Sequence, residues 1–432
     1  MKVFIEPPTD QWAELLARPA LQADDLRARV CPIIEAVRQE GDAALRRFNR
    51  QFDGYEGALQ IDEKAINEAP QKIEPKLWQA LRQAYANIRA FHETQKEEPK
   101  IIETMPGVRC WRRSVGIERV GIYIPGGTAP LFSTVLMLGV PAQIAGCSEV
   151  VLCTPATATG EVHPAILAAA SLCDIGKVFA VGGAQAIAAM AYGTATIPKV
   201  DKVFGPGNQY VTAAKQMLAA EGVIAIDLPA GPSEVAVWAD EHAPAAFLAA
   251  DLLSQAEHGS DSQVILVCDT EAKINEVLQA IETQLSHLPR AHIAREALRH
   301  SRAFVMPHAE QALRLLNSYA PEHLIVARRD AARYVERITN AGSVFLGYYT
   351  PESAGDYASG TNHTLPTNGF ARMYSGVSLD SFVKKITFQE ITAEGLQQLG
   401  ATVCHMAAAE GLDAHKLAVE VRLDALSPNP QL

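Results

Sequence analysis

Gln255 and His258 stand three residues apart in the stretch DLLSQAEHG (251–259), just ahead of the apolar run 264–267. A helix over 245–257 puts both on one face near its end. From there His258 offers a metal ion a neutral imidazole nitrogen, and Gln255 an amide oxygen. Three further segments gather polar and ionisable groups. Glu322 and His323 lead into an apolar strand in PEHLIV, Asp356 lies in SAGDY and is followed by SGTNH, and EGLDAH (410–415) breaks a C-terminal helix. Two histidines, a carboxylate and an amide oxygen can close around zinc and leave room for substrate. A remaining Glu-His pair supplies a general base and a water activator. A solvated loop or a helix cap accounts for any one segment taken singly. These residues alone leave the ligand set open, since His363 competes with His415 and Glu257 with Asp356.

The elements that must position these groups are α/β. Strands at Val120–Ile124, Glu149–Cys153, Lys177–Val181 and Lys202–Phe204 are each followed by a turn and a helix, the pattern of a parallel sheet with helices on both faces. Three of the turns are glycine-rich: Pro125-Gly126-Gly127, Gly182-Gly183 and Gly205-Pro206-Gly207. Glycine there lets backbone N–H groups approach a phosphate at a helix N-terminus. None is a GxGxxG, and a tight turn with φ > 0 also explains each. Tyr123, Gln185 and Asn208 flank these edges, placed either to contact a nucleotide or to cap helices. A second α/β unit is read from strands at Val264–Val267, Ala303–Met306, Leu324–Ala327 and Ser343–Leu346, with helices near 271–285, 309–319 and 330–340. No residue-level repeat links the two. Residues 1–100 read as mainly helical with a packing role, and 351–376 as a long loop. The tail reads as a strand at Lys385–Ile391 and a helix stopping at Gly411.

Composition narrows the function. The chain has 432 residues, 48% hydrophobic and 20% charged, which suits a soluble globular enzyme of two or more domains. Lys and Arg number 38 against 49 Asp and Glu, a formal charge of −11 without a basic block, so nucleic acid is a poor partner. No apolar run is long enough to span a membrane, and MKVFIEPPTD lacks a signal-peptide core, so a cytoplasmic protein is expected. Seven cysteines without a CxxC argue against a disulfide framework or a structural zinc knot. Cys153, in VVLCTP, is the one placed where a catalytic thiol can emerge from a sheet, but no basic partner lies nearby in sequence.

Long motifs then point to one family. DLLSQAEHGSDSQVIL, YAPEHLIV, AGSVFLG, PESAGDYASGTNHTLPT and AAAEGLDAHK resemble histidinol dehydrogenase, as do VGIYIPGG, APLFSTVLMLG, VGGAQAIAAMAYGT, VDKVFGPGN and DLPAGPSEV. The resemblance runs from the helical N-terminal part to the tail. It implies oxidation of L-histidinol through L-histidinal to L-histidine, the last steps of histidine biosynthesis, with two NAD⁺ and one zinc per subunit. Carried over by residue, it implies zinc on Gln255, His258, Asp356 and His415, with substrate completing the coordination. His323 matches the general base, Glu322 the water activator, Ser233 and Glu410 further substrate contacts, and Tyr123, Gln185 and Asn208 the NAD contacts. It also implies two Rossmann-like α/β domains and a tail exchanged across a homodimer with shared sites. The expected divisions are an arm (1–20), a discontinuous zinc-bearing domain (21–122 with 235–377), an NAD-binding domain (123–234) and a dimerisation tail (378–432). Two alternatives compete: a same-scaffold dehydrogenase of another small alcohol such as a sulfonated diol, and an inactive nucleotide-binding α/β protein. Glu410, suited to a cationic amine, disfavours the first, and intact Glu322 and His323 disfavour the second.

Overall fold

Both expected runs of strands form all-parallel sheets. The computed structural model describes residues 1–19, 23–126, 130–156, 160–229 and 231–427, so Gly127 of the first glycine turn lies outside the described residues. The first run builds a five-stranded sheet in the order Lys177–Ala180, Glu149–Thr154, Arg119–Tyr123, Lys202–Phe204, Ala225–Ile226. The strand order reverses between Arg119–Tyr123 and Lys202–Phe204, the Rossmann switch point where ligands sit beyond the carboxyl ends of strands.

A six-stranded sheet runs Lys2–Ile5, Arg302–Val305, Gln263–Cys268, Glu234–Ala239, His323–Ala327, Ser343–Leu346. Without its N-terminal strand it has the same order as the first, so the repeat exists in topology where residues do not reveal it. Two of its strands depart from the expected pattern. Glu234–Ala239, EVAVWA, is buried at every position, as parallel strands covered on both faces are, and so shows no alternation. Lys2–Ile5 is a four-residue edge strand, mostly exposed, in a region expected to be helical.

Helices close both sheets. Ala23–Glu40 packs with Gly183–Tyr192 and Gln209–Ala220 on one face of the five-stranded sheet, and Pro75–Glu93 packs with Phe132–Ala145 on the other. Residues 23–93 were expected to group with 235–377. Their apolar faces instead complete the two cores of the five-stranded sheet, with Val30, Ile34 and Val37 in one and Leu81, Ala84 and Ile88 in the other. The expected boundaries at 122/123 and 234/235 also fall inside strands. On the six-stranded sheet, helices Ala245–Ala256, Glu271–Leu285 and Ala291–His300 bury one face, and Trp12 with Ala309–Tyr319 the other. The stretch expected as loop opens with a short helix, Glu352–Tyr357, which starts after Pro351.

All of this belongs to one compact unit, 1–95 with 117–382; a second unit joins 96–116 to 383–432. In the second, Val383–Ile391, Val108–Gly116 and Ile102–Met105 form an antiparallel sheet. Helices Ala393–Ala409 and Asp413–Ala425 pack on each other, with Gly411 between them at φ +71°. The expected helix therefore stops at Gly411, and a second helix follows it.

Candidate active site

The candidate catalytic groups meet at the N-terminal edge of the six-stranded sheet. Glu234 opens the central strand and His323 opens its neighbour, in register with Val235. Helix Ala245–Ala256 runs back toward that edge, so its last turn delivers Gln255, which is fully buried. The backbone of one residue organises the cluster. The Glu234 N–H donates to Glu322 Oε2 at 2.9 Å, and the Glu234 carbonyl accepts from His323 Nδ1 at 3.1 Å and from Gln255 Nε2 at 3.2 Å. Gln255 Nε2 also donates to Glu322 Oε2 at 3.3 Å. Its 3.2 Å approach to His323 Nδ1 is then a contact between two donors, since Nδ1 carries the hydrogen that reaches Glu234. Neutral His323 consequently presents its lone pair at Nε2, which faces Asp356 Oδ1 at 3.4 Å.

The electrostatics are lopsided. Burial resists charge on His323, but Glu322, Glu352 and Asp356 outweigh it and lift the imidazole to about 10. Burial drives the Glu322 carboxyl up to about 7, partly offset by His323, and raises Glu352 as well. Burial also opposes charge on Asp356, yet its contact with His323 holds this carboxyl below its usual value. Two buried carboxylates and the half-buried Asp356 around one imidazole are the setting a divalent cation fits, because a cation takes the place of the extra proton. Gln255 Oε1 adds to this: it is buried and unpartnered, which costs about 1–3 kcal/mol unless something outside the protein pairs with it.

His258 sits at the mouth of the cluster. Its Nδ1 lies 3.4 Å from Ser233 Oγ, and both residues line a cavity of about 1350 Å³. The ring is exposed to that cavity, yet enough protein surrounds it for lost solvation to lower its proton affinity, which keeps it available as a ligand. His363, left open by sequence, has both nitrogens engaged, Nδ1 with the Asp356 carbonyl at 2.8 Å and Nε2 with Thr134 Oγ1 at 3.0 Å. It orients the Asp356 backbone. Glu410 and His415 lie exposed in the second unit, Glu410 at the end of one helix and His415 in the first turn of the next.

The nucleotide candidates meet at the opposite kind of edge, the carboxyl ends of the five-stranded sheet. Tyr123 ends its strand, and its hydroxyl accepts the Gly183 N–H at 2.9 Å. Gln185, in the helix that follows, is buried with its Nε2 unpartnered. Asn208 caps helix Gln209–Ala220, its Oδ1 accepting from Tyr210 and Val211 at 3.0 and 3.1 Å, which leaves the amide nitrogen as its remaining polar group toward a ligand. The turn before it needs glycine: Gly205 has φ +118°, and a Cβ there would lie 2.1 Å from the Tyr123 carbonyl. Gly207 and Asn208 line the same cavity as Ser233 and His258, so one space joins the two edges.

Some groups here escape a sequence reading. Glu352 lies four residues before Asp356, a helical spacing hidden by a stretch that looks like loop. Glu234 acts through its backbone N–H and carbonyl and carries no sequence signal. Cys153 is fully buried, and burial pushes its thiol far up, which removes it as a nucleophile.

Two Rossmann-ordered parallel sheets, with a glycine-rich switch point on one and a buried acid–base cluster on the other, define an α/β enzyme. The model of the family described as histidinol dehydrogenase matches residues 16–423. The chain is 56% identical to histidinol dehydrogenase of Bacteroides thetaiotaomicron over 99% of this chain and 100% of that protein. It is 53% identical to that of Xylella fastidiosa, covering 96% and 97% of the two chains. The crystal structure of histidinol dehydrogenase from Elizabethkingia anophelis superposes with a TM-score of 0.96 at 53% identity, over 99% of this chain and 98% of that one. This chain belongs to the histidinol dehydrogenase family and is an oxidoreductase of histidine biosynthesis. These matches support neither competing reading. Among the described residues no helix is long and apolar enough to cross a membrane.

Proposed function

We propose that the enzyme oxidises L-histidinol through L-histidinal to L-histidine in the cytoplasm, using two NAD⁺ and one zinc per site. The observation that carries this reading is the pair of proton-handling groups, Glu322 and His323, both held on the backbone of one residue, Glu234. Each oxidation needs a group of its own. In the first, His323 Nε2 takes the alcohol proton as the carbinol hydride leaves for NAD⁺, giving the aldehyde and NADH. In the second, Glu322 takes a proton from water as its oxygen adds to the aldehyde carbon. The hydrate then gives up its hydride to a second NAD⁺, and loss of its remaining proton leaves the carboxylate.

Gln255, His258 and Asp356 are the zinc ligands in this reading, with His415 from the tail of a second subunit. Zinc, when bound, supplies a positive centre that fixes the amino alcohol and offsets the carboxylates. Ser233 and Glu410 complete the substrate contacts, and Tyr123, Gln185 and Asn208 hold NAD. Met406, Leu412, Leu417 and Val421 leave apolar side chains exposed in the tail unit, which supports a homodimer in which a partner covers them. A different metal set has its own support: His323, Glu352 and Asp356 have ligand atoms within 4.8 Å of one another. That set occupies the nitrogen the first oxidation needs and leaves Gln255 Oε1 unexplained, so we favour the first. The test is NADH yield with limiting L-histidinol and excess NAD⁺. Two NADH per histidinol support the double oxidation, one NADH with released aldehyde removes the role of Glu322, and none in metal-replete enzyme removes histidinol as substrate.

A further inference from the structure

Arg18 comes from the N-terminal arm, in a region whose sequence suggests packing alone, yet it ends at the base of the catalytic cluster. Its Nε and Nη2 reach Glu234 Oε1 and Oε2 at 2.5 and 2.8 Å, a two-pronged ion pair with the carboxylate 2% exposed. Nη2 also donates to the Tyr319 carbonyl at 2.8 Å, and the guanidinium lies 4.1 Å over the Tyr319 ring, so Arg18 is itself fixed. The backbone N–H of Asn368 donates to Glu234 Oε1 at 2.7 Å. Glu234 is therefore clamped from two segments distant in sequence, although its carboxylate touches none of Gln255, Glu322 or His323 among the described contacts.

A buried ion pair is a weak source of stability, since apolar side chains of similar volume often serve as well. What this pair does hold is direction. The backbone of Glu234 carries the N–H that orients Glu322 and the carbonyl that selects the His323 tautomer. The two groups lie on the peptide planes either side of the Glu234 Cα, so a shift of that residue's backbone displaces both. We infer that Arg18 and Glu234 form a positioning pair that aims the catalytic Glu322–His323 couple, an inference that rests on the proton-handling roles given above. A guanidinium suits the task because its planar fork fixes the carboxylate in two directions, where an ammonium fixes a point.

The test uses full-length, metal-replete enzyme. Arg18→Lys keeps the charge and loses the fork, while the paired change Arg18→Met with Glu234→Gln removes both charges at similar volume. Both are expected to lower kcat for histidinol oxidation roughly 10- to 100-fold, the penalty of a small misplacement. The KM values for histidinol and NAD⁺ should change less than about threefold on that positioning reading, with the melting temperature near the parent's. In a Glu322→Gln background, adding Arg18→Lys should cost aldehyde oxidation little more, because the group being aimed is already gone. Wild-type kcat in the folded paired variant, a rise in KM alone, or full multiplication of the two effects each overturns the positioning role. If Glu322→Gln alone leaves aldehyde oxidation intact, the Glu322 assignment fails, and the Arg18 effect on the first oxidation then still decides whether His323 is aimed.

Discussion

Glu322→Gln separates the two oxidations. An amide oxygen in the place of Oε2 keeps the acceptor for the Glu234 N–H and for Gln255 Nε2, so the local hydrogen bonds survive. The wild-type carboxyl is lifted by burial from 4.5 to about 7, so the fold disfavours its ionised form. For an acid raised in this way, stability is greatest below the unfolded value and falls as pH rises through the folded one. Removing the charge is thus stabilising at pH 8, by up to about 3 kcal/mol at 1.36 kcal/mol per unit of pKa. The catalytic effect has the opposite sign. Losing a positioned general base costs roughly 10²- to 10⁴-fold, about 3–5 kcal/mol of barrier, and falls on water addition to the aldehyde. Stopped-flow absorbance with limiting L-histidinol and an aldehyde trap reads both steps. One fast NADH with trapped aldehyde is expected, with zinc content and melting temperature no lower than the parent's. Two NADH at near-parental rates would refute the water-activating role, and an equal slowing of both steps with loss of zinc would make Glu322 a structural residue.

His323→Asn should lower turnover at least about 100-fold and leave zinc content near that of the parent; loss of the metal, read by elemental analysis, would favour the His323, Glu352 and Asp356 set. Asn208→Asp keeps the oxygen that caps helix Gln209–Ala220, so melting should change by less than about 1 kcal/mol, while KM for NAD⁺ should rise severalfold; an unchanged KM would make Asn208 a cap alone. Burial raises Asp251 from 3.8 to about 7, which makes the folded protein lose stability as pH climbs from 4 through 7. Discounted for partial exposure, the loss is about 1–2 kcal/mol. Asp251→Asn should shrink the stability difference between pH 5 and 8 in denaturant titrations by that amount, leaving the part due to Glu322, and an unchanged difference would refute the Asp251 contribution.

The class of fold was legible because strand–turn–helix periodicity is local. Apolar runs such as 264–267 and 324–327 stand between turn formers and are matched by strands Gln263–Cys268 and His323–Ala327. Glu234–Ala239 escaped the reading although it is as fully buried as those two, because Ala236 and Ala239 dilute its β signal. The candidate residues were nameable from their types and, above all, from long family motifs. Type alone could not separate His363 from His415 as a ligand. For His363, the fold decided by engaging both ring nitrogens. Only tertiary structure brought Arg18 to Glu234, 216 residues away, or put Gln255, Glu322 and His323 on the backbone of one residue. Sequence determines which groups are present and which local conformations they prefer. Their mutual distances depend on strand order and register, set by long-range burial that no single window of sequence contains.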